Sequence, residues 1–222
     1  MSKTLLTFLS DLALNNEKAW FDAHRINYEE ARNELIDIVD QVIKPLTAID
    51  PALGPLVAKK CIFRINRDVR FSKNKLPYKT NMGAYIVKGG KGSGNAGYYI
   101  HFEPGQSFVG GGFYAPMPEL LRAVRSEVYF NAEEFKAIIY ETQFVAMFGK
   151  LMDEKLVKVP KGFPADFPDV DLLKYKHYVV SRPFSPDLMQ TSDIVSFIVE
   201  TFQQMLPLMN FLNRAVENIE KH

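Results

Sequence analysis

The sequence predicts an α+β fold: a mainly antiparallel sheet (a meander) packed with helices, with long helices toward both ends of the chain. Two observations carry this. Apolar residues recur at helical spacing near both ends, while residues 82–114 hold short β-favouring runs separated by glycine and proline. The two kinds of stretch are segregated along the chain, which argues against alternating parallel α/β units. At 222 residues the chain can bury a sizeable core, and one domain over residues 1–222 is expected.

The first helix is predicted over about residues 4–13, where Leu5, Phe8, Leu9 and Leu12 fall on one face. Asn15 and Asn16 end it, and Asn16 is placed to cap a new start at Glu17. Trp20 and Phe21 read as core anchors. Asn27 and Glu30 have the form of a capping box, in a chain that can already be helical there. Ala31, Leu35, Ile38, Val39, Val42, Ile43 and Leu46 then continue the period, with Pro45 ending or bending the helix. Residues 47–58 read as a connection. Cys61–Ile65 is predicted as a strand followed by a loop, because its side chains favour β structure. Met82–Lys88, Tyr98–Glu103 and Ser107–Tyr114 are the next strands, joined by a glycine-rich connection and a Pro-Gly turn. Glycines 110–112 permit close approach of another strand or of a ligand. Pro116 and Pro118 introduce a helix from Glu119. Asn131 is expected to cap Ala132–Thr142, and Phe144–Leu151 to extend that helix or form a short one. Leu156–Val159 is expected as a short strand, Lys161–Asp169 as a loop, Leu172–Lys176 as a helical turn and His177–Ser181 as a strand. Thr191 or Ser192 would cap a terminal helix reaching about Glu217, kinked or broken at Pro207.

Composition excludes several classes. A net charge of +1 argues against a protein that coats nucleic acid or an anionic membrane over its whole surface. A single cysteine, Cys61, rules out an internal disulfide and a cysteine-rich zinc site, and a reducing cytoplasm is the economical location. No stretch approaches the roughly 18 apolar residues of a membrane span, so no membrane is expected as a partner. Gly92–Gly97 spells G-x-G-x-x-G, but a strand follows it and not the helix a pyrophosphate needs, so it reads as a hairpin loop. His101 and Glu103 share one face of a strand. They could be two ligands of a metal or a base with its orienting acid; with no obvious third ligand they read as a structural hydrogen-bonding pair, and no metal site is expected. Cys61 reads as a small buried hydrophobe.

The strongest signal is electrostatic. Between Lys59 and Lys79 there are eight cations against one acid, Asp68; the local charge of +7 leaves −6 for the remainder. Like charges held close repel unless something neutralises them, which points to an anionic partner. Arg64, Arg67, Arg70, Lys75 and Lys79 supply the charge, with Tyr78 and Asn81 to orient a ligand. Asp68 can fix a guanidinium or act as an acid/base, and is the candidate catalytic residue. Lys161, Lys174, Lys176 and Arg182 are candidates to complete the site from the C-terminal half.

Arg64-x-x-Arg67-Asp68-x-Arg70-Phe71, then Asn74-Lys75, then Tyr78-Lys79-x-Asn81, closely resembles the signature of DUF2461, a bacterial domain of unknown function. The resemblance extends to Trp20-Phe21, Gly110–Phe113, Leu121–Arg125, Pro160–Phe163 and Leu172–Lys176. It implies a single compact domain and a functional role for the signature residues, and it brings no activity. Three readings follow: a binder of a small phosphorylated or carboxylated molecule, with or without enzymatic chemistry; a nucleic-acid-binding module; and a non-enzymatic interaction protein whose arginines sit in structural ion pairs. No cofactor is specified.

Overall fold

A computed structural model describes residues 4–191 and 193–220. Ser192, one of the two expected caps of the terminal helix, lies outside them. Among the described residues the elements are α1 (Thr4–Leu14), α2 (Lys18–Ala23), α3 (Arg25–Ile49), α4 (Ala58–Cys61), β1 (Met82–Ile86), β2 (Gly97–Phe102), β3 (Phe108–Phe113), α5 (Pro118–Phe130), α6 (Ala132–Ile139), α7 (Thr142–Phe148), α8 (Val170–Leu173), β4 (Tyr178–Pro183) and α9 (Ile194–Glu220). The strands form one antiparallel sheet in the order β1-β2-β3-β4, a meander, so the predicted α+β class is found. No described helix is long and apolar enough to cross a membrane.

Contacts divide the chain into two compact units. The first comprises Met1–Ile86, Tyr99–Val109 and Pro183–Glu200. Its core is built on α1 and α3. Leu5, Phe8, Leu9 and Leu12 are buried on α1, and Ala31, Leu35, Ile38, Val39, Val42, Ile43 and Leu46 on α3. Each buried position of α3 is one that the 3.6-residue period marks as inward. Pro45 stands inside the helix, which runs on to Ile49, so it does not end there. Phe8, Phe21 and Tyr28 form an aromatic cluster, with ring centroids 5.0–6.2 Å apart.

The second unit comprises Val87–Tyr98, Gly110–Arg182 and Thr201–His222. Phe135 of α6 packs on Phe211 of α9 and on Tyr178 of β4. A close approach between strands lies here. A side chain on Gly112, at φ +115, would meet the carbonyl oxygen of Tyr178 at 2.0 Å. The glycine run therefore serves strand-to-strand approach, one of the two uses its sequence allowed.

Three local expectations are corrected. Cys61–Ile65 is not a strand: α4 ends at Cys61, and the chain then pairs through single bridges, Ile62 with Ala84 and Asn66 with Tyr78. Ile62 and Ile65 are both buried although three apart, because the backbone bends at Ile65. Asn131 caps nothing with its side chain; it reaches back to Glu127 of the preceding helix. The cap that does form is Glu141, which accepts from the N–H of Phe144 at 2.7 Å and starts α7. Leu156–Val159 is not a strand, since only Lys155 makes a bridge, to Tyr175.

Candidate functional site

The basic stretch folds as a closed loop. Arg67 N–H donates to Pro77 O and Lys79 N–H to Ile65 O, each at 2.9 Å, making a one-rung stem at the Asn66–Tyr78 bridge. In this pattern the backbone groups of Tyr78 point away from the stem. They are met by Asn16, whose Nδ2 donates to Tyr78 O and whose Oδ1 accepts from Tyr78 N–H, both at 3.1 Å. Asn16 thus does not cap α2; it stands in for a neighbouring strand, one residue long. Tyr78 is buried, with its ring stacked on Phe21 at 4.0 Å and 14°.

Within the loop several predicted ligands turn onto the loop itself. Arg67 donates to Leu76 O at 3.2 Å and to Ser72 Oγ at 3.4 Å. Arg70 forks onto Asp68, with Nε to Oδ1 at 3.0 Å and Nη2 to Oδ2 at 2.7 Å. That fork, joined by the Arg70 N–H, holds the Asp68 carboxyl below its ordinary range. Lys75 Nζ donates to Val69 O at 3.0 Å. Arg64 is exposed and Asn81 half-buried, and among the described residues neither makes a hydrogen bond or ion pair. Lys79 lies over the Phe63 ring, 5.5 Å from its centroid. Phe71 at the loop tip is 95% exposed.

Beside the loop's base runs a second constellation. Along β2, Tyr98, Ile100 and Phe102 are fully buried, while Tyr99 and His101 point to the opposite face, as the two-residue period requires. There the hydroxyl of Tyr99 lies 2.9 Å from His101 Nδ1, and His101 Nε2 lies 3.1 Å from Glu103 Oε2. Thr80 Oγ1 donates to Glu103 Oε1 at 2.9 Å. A neutral imidazole between a phenol and a carboxylate satisfies both neighbours in one tautomer, with Nε2–H donating to Glu103 and Nδ1 accepting from Tyr99. Ser107 fixes Glu103 by hydrogen bonds to both of its backbone groups. Phe108 stacks on His101 at 4.7 Å and 19°, and Phe63 meets Tyr99 edge-on at 6.1 Å. Burial, helped by the nearby Glu103 charge, pushes the Tyr99 phenol up to about 12. Gly83 lies beneath that phenol: a side chain there would stand 2.6 Å from Tyr99 Oη.

The cations of the C-terminal half have their own partners. Lys174 pairs with Asp171 and Lys176 with Glu154, while Arg182 donates to Thr201 Oγ1 at 3.1 Å; Lys161 is exposed. His177 is buried and holds a turn: its Nδ1 accepts from Ala115 N–H at 2.8 Å, and Ala115 has a φ of +46. No group of three or more histidine, cysteine, aspartate or glutamate side chains with metal-binding geometry occurs among the described residues.

A family model described as "Conserved hypothetical protein (DUF2461)" matches residues 4–211, nearly the whole chain and all of the loop and row just described. The chain belongs to the DUF2461 family. No curated protein and no solved structure matches it. Membership brings no activity with it, so chemistry must be argued from the side chains. Two parts of the site were not foreseen. Tyr99 stands two residues before His101 on the face already read from the alternation, so its signal was present. Thr80 and Asn16 act on residues 23 and 62 positions away, and no local pattern marks them.

Proposed function

We propose that this DUF2461 chain binds a small anionic molecule, phosphorylated or carboxylated, at the base of the 64–81 loop. The observation that carries the reading is the state of the loop's charges. Lys59, Lys60, Arg64, Arg67, Lys73 and Lys75 make no ion pair among the described residues. An internal ion-pair network would have matched them with carboxylates, as Arg70 is matched with Asp68. Arg64, Lys79 and Asn81 would contact the ligand directly. Arg67, Arg70 and Lys75 would set the loop's shape and add to its field, with Tyr78 as its buried anchor. Asp68 would act as a base only where Arg70 releases it. A cytoplasmic location belongs to the same proposal.

The test is thermal unfolding across a series of inorganic phosphate, sulfate, citrate and nucleoside monophosphates. A ligand at a hundred times its Kd stabilises by about 2.7 kcal/mol. At least one anion should raise the midpoint, and Arg64→Ala should remove the rise while leaving the unliganded midpoint in place. A flat response to every anion overturns the reading. One observation favours a second reading, single-stranded nucleic acid: Phe71 offers an open ring beside Arg70, whose guanidinium carbon lies 5.8 Å from the ring centroid. That reading requires affinity that falls steeply with salt and with Phe71→Ala.

A further inference from the structure

We propose that Tyr99 is a catalytic nucleophile, with His101 as its base and Glu103 and Thr80 as positioning residues, acting on an ester that carries a carboxylate or phosphate elsewhere in the molecule. The choice of an anionic ester rests on the anion-binding reading; the nucleophile itself does not. Three features of the row support it. With the imidazole neutral the hydrogen bonds run in one direction: the phenol proton points at the Nδ1 lone pair, 2.9 Å away, and the ring's other nitrogen is held by a carboxylate. Nothing among the described residues donates to Tyr99 Oη, which leaves its lone pairs for an electrophile. Gly83 lets the hydroxyl rest against the β1 backbone in reach of His101, where any side chain would displace it.

This is the logic of a nucleophile–histidine–carboxylate relay, with phenol in place of an aliphatic alcohol. Its steps balance. Tyr99 Oη bonds to the acyl carbon as its proton passes to His101 Nδ1, and Glu103 stabilises the resulting imidazolium. The carbon–oxygen bond to the leaving alcohol breaks, and His101 returns the proton to that oxygen. Water then attacks the acyl-tyrosine, His101 takes the water's proton, and the tyrosyl–acyl bond breaks to restore the phenol. Burial keeps the phenol protonated at rest, so it reacts only where a base is aligned with it. Lys79, on the Phe63 ring that meets Tyr99, places positive charge toward the substrate's anionic end.

The experiment uses two electrophiles on the full chain: 4-(fluorosulfonyl)benzoate, which is anionic, and neutral benzenesulfonyl fluoride. Each forms a sulfonate ester with a tyrosine oxygen, releases fluoride, and needs the phenol proton removed. Peptide mass spectrometry should find Tyr99 modified before Tyr114 and Tyr140, although those are 71% and 63% exposed. His101→Gln should slow modification of Tyr99 by about a hundredfold, in the range of general-base contributions, with Tyr114 unaffected. If that variant does not fold, Glu103→Gln serves: it removes the carboxylate that holds the imidazole, and should slow Tyr99 with Tyr114 unaffected. Tyr99 reacting no faster than Tyr114, or at a rate indifferent to His101 or to Glu103, overturns the nucleophile. The anion reading is separated by the probes. If both label Tyr99 equally and Lys79→Met changes neither, the nucleophile stands and the anion site falls.

Discussion

Asn16 is the side chain on which the position of the basic loop depends, and its removal gives a prediction with a calculable size. Asn16→Ala deletes two hydrogen bonds, each worth about 1 kcal/mol net. It also leaves the N–H and C=O of Tyr78 unmatched in a partly buried setting, where each group adds toward the low end of about 1–3 kcal/mol. The sum is about 2–4 kcal/mol, allowing for water reaching part of the gap. For a chain of this length that is a fall of roughly 5–12 °C in the unfolding midpoint. Urea unfolding followed by circular dichroism measures the free energy. Hydrogen exchange locates it: the amides of Arg67 and Lys79, which form the stem, should exchange about tenfold faster or more, while those of α3 change less. Asn16→Asp keeps an acceptor for Tyr78 N–H but sets a carboxylate against Tyr78 O, so it should be no better than alanine. A loss below about 0.5 kcal/mol, the ordinary effect of a surface substitution, would refute the reasoning.

Other consequences are as direct. Gly83→Ala would put a methyl 2.6 Å from Tyr99 Oη and 2.8 Å from the carbonyl of Ile100, so it should destabilise by about 1–3 kcal/mol and separate Tyr99 from His101; an unchanged midpoint with an intact His101 tautomer by nitrogen NMR would contradict this. His177→Ala leaves the Ala115 N–H without its acceptor at a left-handed backbone position, and should cost about 2–3 kcal/mol by chemical denaturation. The Tyr99 phenol ionises at about 12 in the folded chain against an ordinary 10.0, so the unfolded state loses its proton first. Stability should therefore be fully present below pH 10 and fall as pH rises toward 12, by up to about 2–3 kcal/mol from this group. Tyr99→Phe should lessen that fall; Tyr178, also pushed up by burial, accounts for a further part.

Much of the fold was legible because its rules are local. The buried face of α3 coincides with the seven apolar positions that helical spacing selects, and the meander follows from three β-favouring runs with glycine and proline between them. Pro118 stands at the first turn of α5, where its missing N–H leaves no bond unmade. What failed was non-local. Cys61–Ile65 has strand-like side chains, yet only single residues find a partner, and the bend at Ile65 buries Ile62 and Ile65 together. Asn16 has a cap's chemistry, and Tyr78 draws it away from that role. Asn131 likewise prefers Glu127, one helical turn back, to the N–H groups ahead of it.

The same distinction governs the site. A count of cations measures how much charge a segment holds, but not what each charge touches. Arg67 and Lys75 donate to carbonyls of their own loop and Arg70 to its single acid, so three of the five predicted cationic ligands first hold the loop in shape. The outward field then depends on the others, of which Arg64 makes no hydrogen bond or ion pair among the described residues. Conversely, a histidine and a glutamate two apart on a strand can be metal ligands or a base with its orienting acid. The want of a third ligand is an objection to the metal site alone and has no bearing on proton transfer, for which a phenol, a neutral imidazole and a carboxylate in one row suffice. On the proposed reading, a ligand drawn by Arg64 and Lys79 would meet Phe63 and then Tyr99. Binding and chemistry would therefore be coupled through one aromatic ring, and Phe63→Ala should weaken both the anion response and the labelling of Tyr99.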